Sequence, residues 1–254
     1  MLAYRCDNSF EGLLSAVFDA YIQREFPEIL LGPEDIPPLT ATTVKAVAAN
    51  RPKADRVFAG LCTRLTREGK NNLLLTFLAE EKEIPSLLFR YILKVFDAPP
   101  GLSVEGDFSD KDMLTVDQIA RKVTAEVYHL LGFARFQKTA EGIYFSAVSP
   151  RHNILSLLLP HFTNRFSSHP WIIYDMRRGF GFYAQKGTIS EMSLTGELED
   201  NGILADHLLA EDEKTFQKTW QQYLKAATIT ERLNPRLQAR CLPRRFWPYM
   251  TEMR

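Results

Sequence analysis

The sequence predicts an α+β protein: a mainly helical amino-terminal half with one or two short strands, then an antiparallel sheet of two hairpins packed against helices. Three observations predict it. Apolar residues recur at helical spacing from Phe10 through Ile22. Two aromatic-rich segments after residue 130 break at glycine-containing turns, as hairpins do. Between them and the first half lies Asp97-Ala98-Pro99-Pro100-Gly101, the opening of a linker over 97–110. The chain therefore divides into a helix-rich region over 1–110 and an α+β region over 111–254.

Taken in order, Leu2 to Arg5 fits a short strand. Residues 9–24 form a helix, with Phe10, Leu13, Leu14, Val17, Phe18, Tyr21 and Ile22 on one face and Asn8 with Glu11 as its capping box. Pro27, Pro33, Pro37 and Pro38 make residues 26–38 a loop. Thr40 to Ala48 is β-branched enough for a second strand. A helix follows with Pro52 in its first turn, where the missing N–H costs nothing. Residues 71–96 hold two helical stretches divided or started by Pro85.

Beyond the linker, a helix runs from about Asp112 to Leu131. Phe133–Thr139 and Ile143–Val148 flank the loop Ala140-Glu141-Gly142 as the first hairpin. Ile154–Phe166 is helical, with Pro160 forcing a kink or a restart. Trp171–Met176 and Phe180–Gln185 flank Arg177-Arg178-Gly179 as the second hairpin, and Ile189–Leu194 adds an edge strand. Glu211–Ala226 is a helix expected to turn Phe216, Trp220, Tyr223 and Leu224 inward, and the tail from Asn234 reads as short turns.

With 254 residues, 45% of them apolar and 24% charged, the chain has ordinary globular composition and enough length for a substantial core. Its opening lacks a signal peptide's basic start and apolar stretch, and no apolar run has membrane-spanning length. Cys6, Cys62 and Cys241 have no paired spacing, which argues against a disulfide framework. These features point to the cytoplasm and to no membrane partner. Glycine-rich phosphate loops, dinucleotide fingerprints and zinc-ligand spacings are absent, so no metal and no cofactor is expected.

Net charge is zero but unevenly placed. Residues 133–186 carry net +5, residues 187–213 net −8, and residues 214–254 net +7. Such layout either steers a polyanion to one face or neutralises itself by folding back. The basic stretches also pair arginine with aromatic residues. Arg135 sits between Phe133 and Phe136, Arg165 between Phe162 and Phe166, and Arg244 and Arg245 precede Phe246 and Trp247. Guanidinium groups beside rings suit phosphate gripping with base stacking, or an ion-paired core. Arg135, Arg165, Arg177, Arg178, Arg244, Arg245 and Trp247 are thus the candidate nucleic-acid residues. Asp175 closes an apolar strand and needs a partner if it points inward, which Arg135, Arg165 or Arg177 would supply. Either it is a structural ion pair, or with His161 it is an acid/base candidate for an enzyme.

Residues 126–186, from Glu126 through Phe133-Ala134-Arg135-Phe136, His161-Phe162-Thr163-Asn164-Arg165-Phe166 and Trp171-Ile172-Ile173-Tyr174-Asp175, resemble an uncharacterised bacterial family of probable DNA-metabolism proteins. The ending Pro243-Arg244-Arg245-Phe246-Trp247-Pro248-Tyr249 is similar to the family's Pro-x-Arg-Tyr-Trp-x-Tyr, with Phe246 in place of the tyrosine. The opening Ser9-Phe10-Glu11-Gly12 is similar too, while Cys6-Asp7-Asn8 departs from the family's start. The resemblance implies a bacterial protein encoded beside a radical-SAM protein thought to modify or repair DNA, with longer relatives joined to a uracil-DNA glycosylase domain. It implies no reaction and no catalytic residues.

Three functions follow as expectations. The first is an accessory protein of DNA repair or modification that binds single-stranded or damaged DNA, the radical-SAM partner, or both. The second is an enzyme acting on a nucleobase or DNA end through Asp175 and His161, and the third is an interaction scaffold without nucleic acid.

Overall fold

The computed structural model describes residues 1–99, 102–194 and 202–253. Pro100 and Gly101 of the expected linker, and Glu197, Glu199 and Asp200 of the acidic stretch, lie outside the described residues. The protein is mixed α/β, with helices packed on two separate sheets, and it divides into two compact units, 1–124 and 125–254. Among the described residues no helix is long and apolar enough to cross a membrane.

Unit 1 is built on a three-stranded parallel sheet in the order β2-β1-β3: β1 (Leu2–Arg5) is central, flanked by β2 (Ile29–Leu31) and β3 (Thr43–Ala46). The expectation of one or two strands here falls short by β2. Its three residues sit among prolines, too few to show a period, yet they pair Ala3 to Arg5 with Ile29 to Leu31. Helix α1 (Phe10–Gln23) connects β1 to β2. Its cap is Ser9, not the expected Asn8: the Ser9 hydroxyl accepts from the Gly12 N–H at 2.9 Å, and Asp7 Oδ1 accepts from the Ser9 N–H and hydroxyl. Leu13, Leu14, Val17 and Ala20 are buried.

Three helices complete unit 1: α2 (Arg51–Arg64), α3 (Arg67–Phe77) and α4 (Ile84–Asp97). Asn50 and Thr66 cap the first two through backbone N–H groups of Lys53 and Gly69. Pro52 and Pro85 lie in first turns, as their spacing predicts. Leu88, Tyr91, Ile92 and Val95 of α4 are buried, the face read from the sequence. Helix α5 (Lys111–Phe133) follows, and the unit boundary falls within it.

Unit 2 carries a five-stranded sheet in the order β4-β5-β6-β7-β8. Its strands are β4 (Gln137–Lys138), β5 (Tyr144–Val148), β6 (Trp171–Asp175), β7 (Phe180–Gln185) and β8 (Thr188–Met192). All neighbours are antiparallel except β5 and β6, which run parallel. The reason is the connection: α6 (Leu155–Arg165) carries the chain back to the start of the sheet, making a β-α-β crossover between the two hairpins. Pro160 is accommodated within α6, which continues through it as one helix. Gly179 adopts φ +71° at the tip of the second hairpin, the conformation that glycine supplies there at no steric cost.

The central strands of the sheet pack on both faces, while β8 is largely exposed. On one, Phe145, Ala147 and Tyr174 form a cluster with Leu204, and Leu208, Leu209 and Tyr249 pack on it. On the other, Trp171 meets Phe162 of α6 at 6.1 Å between ring centres, beside buried Leu155 and Leu158. After β8 come α7 (Glu213–Ala227), α8 (Pro235–Cys241) and short 3-10 turns over Arg244–Tyr249 and Thr251–Met253.

Candidate functional site

Unit 2 contains an open cleft of about 670 Å³. Five pieces of chain supply it: the α5–β4 connection, the first residue of β5, the end of α6, the amino-terminal half of α7 and Thr251 of the last 3-10 turn. Its aromatic lining is mutually packed. Phe136 lies 4.6 Å from Phe166 and 5.0 Å from Phe162, and Tyr144 stacks on Phe166 at 5.2 Å and 30°. Across from them stand Phe216 and Trp220 of α7.

Two of the arginines singled out in the sequence meet in this cleft. Arg135 is anchored: its Nε and Nη2 donate to Glu252 Oε1 at 2.9 and 2.6 Å, and its Nη1 donates to the Gly132 carbonyl at 3.0 Å. Its guanidinium also lies 5.9 Å from the Trp220 ring. Burial works against ionised Glu252, but the Arg135 hydrogen bonds prevail and hold its carboxyl below the usual range. Arg165 differs. It ends α6 on the cleft rim, is exposed, and has no ion-pair partner among the described residues. Lys138 Nζ is 3.2 Å from Asp212 Oδ2, and the Lys138 N–H donates to Glu213 Oε2 at 3.0 Å. The cleft thus offers ring faces, one uncommitted guanidinium and balanced charge elsewhere.

The remaining sequence candidates lie outside this lining. Asp175 is 0% exposed, and its oxygens are engaged: Oδ1 accepts from the Arg177 and Arg178 N–H groups, and Oδ2 from Arg178 Nη1 at 2.9 Å. Its ion-pair partner is Arg178, three residues on, rather than Arg135, Arg165 or Arg177. Arg177 and Arg178 donate onward to the Pro150 and Arg151 carbonyls, so the hairpin tip grips protein backbone. His161 is exposed on α6, edge-on to Phe162. In the tail, Arg244 lies 5.6 Å from the Trp247 ring, and Trp247 Nε1 donates to the Leu242 carbonyl. Arg245 covers Phe246 at 4.7 Å while its Nη2 reaches Glu126 Oε1 at 2.7 Å.

Glu126 opens the stretch that resembles the family but carries no candidate role in the sequence. It is 2% exposed, accepts the backbone N–H groups of Arg151 and His152, and has His152 Nδ1 2.7 Å from Oε2. Burial opposes its ionisation, yet these hydrogen bonds hold its carboxyl at about 2. Nothing in the sequence marks a lone glutamate in an amphipathic helix as a hub.

The aromatic face of α7 corrects a second expectation. Phe216, Trp220 and Tyr223 are 62%, 38% and 60% exposed instead of turned inward. Leu224 alone of the four is half-buried, on an inward stripe that is otherwise polar: Glu213 is buried and accepts from Gln217 Nε2, and Gln221 Nε2 donates to the Thr251 carbonyl at 2.7 Å. Among the described residues no group of three or more His, Cys, Asp or Glu is placed to hold a metal ion.

Residues 82–252 match the model of a domain of unknown function, DUF4130. No curated protein and no solved structure matches the chain.

Proposed function

The chain belongs to the DUF4130 family of domains of unknown function, and we propose that this protein is an accessory factor of DNA repair or modification that holds a nucleic-acid strand in the unit 2 cleft. The observation that carries this reading is Arg165, a guanidinium without an ion-pair partner among the described residues, set on the rim of a ring-lined cleft. Arginine forks match phosphate oxygens, and ring faces accept any base by stacking. Arg135 serves this arrangement indirectly, since Glu252 fixes it against Trp220. The family resemblance adds the DNA context and a radical-SAM partner as the proposed setting.

The test is fluorescence anisotropy of a labelled single-stranded ten-nucleotide DNA across a salt series. Arg165→Ala is expected to weaken binding and to flatten the slope of log K against log salt by about 0.7, the loss of one phosphate contact on a single strand. Binding that ignores salt, or an Arg165→Ala slope equal to wild type, overturns the reading.

A further inference from the structure

Helix α7 gives the unit 2 cleft a polar pair as well as its rings. Glu213 and Gln217 sit one turn apart, and both line the cleft with Phe216 and Trp220. Glu213 is buried, and each of its oxygens has a protein donor. Oε2 accepts from the Lys138 N–H of β4 at 3.0 Å, and Oε1 accepts from Gln217 Nε2 at 2.8 Å. That arrangement fixes the glutamine. A carboxylate accepts and does not donate, so the Gln217 amide turns its nitrogen to Glu213 and its oxygen away. Gln217 is half-buried, and its Oε1 has no protein donor among the described residues. Other polar side chains of the lining are engaged with protein. Arg135 is held by Glu252, Lys138 pairs with Asp212, and the Thr251 hydroxyl turns to Glu252.

We infer that Gln217 is the specificity-determining residue of the cleft: its Oε1 accepts a hydrogen bond from the Watson–Crick edge of one unpaired base, and so selects bases that carry an N–H on that edge. This rests on the cleft reading given above and narrows its ligand from any single strand to one whose base edge is free and unmodified. Ring faces accept every base alike, so stacking and a phosphate contact at Arg165 make no demand on what a base edge carries. A fixed acceptor among those rings adds the demand. Each of the four bases has an N–H on its Watson–Crick edge, and in a duplex pairing consumes it. A base that lacks the N–H covers the Gln217 oxygen and takes it from water without replacing the hydrogen bond, which costs affinity. Glu213 is a positioning residue in this arrangement, since it acts through the amide it orients.

The test compares two unlabelled competitors against a labelled ten-thymidine strand: the same strand, and one in which every thymine carries a methyl group on its ring N–H nitrogen. Methylation removes the single Watson–Crick donor of thymine and keeps its ring, sugar and phosphates. The full chain is compared with its Gln217→Met variant, which keeps the side chain's length and removes the acceptor. Wild type is expected to bind the plain strand about fivefold or more tightly than the methylated one, the worth of one hydrogen bond. Gln217→Met is expected to bind the two strands alike, and the plain strand about as weakly as wild type binds the methylated one. Equal affinity of wild type for the two strands overturns the inference without recourse to any variant. A methyl penalty that persists in Gln217→Met marks a steric collision and overturns it too. Both results leave the cleft reading in place, because the salt slope of Arg165→Ala tests that separately. Absence of wild-type binding to either strand overturns the cleft reading and this inference with it.

Discussion

Glu126 joins three separate stretches of unit 2: its own helix, the backbone at Arg151 and His152, and Arg245 of the tail. A buried carboxylate so placed is destabilising to lose, because its partners remain in place without it. Glu126→Gln is expected to lower unfolding free energy by about 3 kcal/mol, measured by urea titration near pH 7. The pH dependence has a definite sign. The folded carboxyl titrates at about 2 and an unfolded glutamate near 4.5, so the stabilisation is complete above that higher value. It is lost as pH falls toward about 2, and Glu126→Gln should lack this component of acid sensitivity. Asp175 was legible to the extent that an acid ending an apolar strand demands a cation. Which of the nearby arginines answers depends on turn geometry, and the tight turn delivers Arg178.

Elements were legible where a local signal decides them. Pro52 and Pro85 mark helix starts because proline fits best in the first turn, although α6 continues through Pro160, and α4 shows its buried face in a single stripe. The parallel pairing of β5 with β6 left no such mark, since strand alternation is the same in either direction. Helix α7 exposes another limit: amphipathic spacing reveals two stripes, and solvent took the aromatic one. Within β7, Gly181 is held to its identity by close approach. A Cβ there would lie 2.5 Å from the Ile173 carbonyl oxygen and 3.0 Å from the Tyr174 Cα, both backbone atoms that cannot swing aside. Gly181→Ala is therefore expected to cost about 2 kcal/mol or more, read as a lowered thermal midpoint, by prying β7 from β6.

For the molecule as a whole, composition gave the class, and the second half's arginine-aromatic pairs gave a theme that the fold distributes over several tasks. Arg135 and Arg165 meet at the cleft, Arg177 and Arg178 close a hairpin, and Arg245 ties the tail to Glu126. That division depends on contacts between residues over a hundred positions apart, as with Arg135 and Glu252, and no local pattern encodes it. The three cysteines report on the folded chain in the same way. Cys62 and Cys241 are exposed, while Cys6 is buried, and burial with Asp7 nearby pushes its thiol up to about 11. Ellman's reagent is expected to titrate two thiols rapidly in the native protein and the third only after denaturation. Because Cys6 directly follows the central strand β1, its slow labelling in native buffer becomes a stopwatch: the rate at which that one sulfur is captured counts how often the parallel sheet of unit 1 breathes.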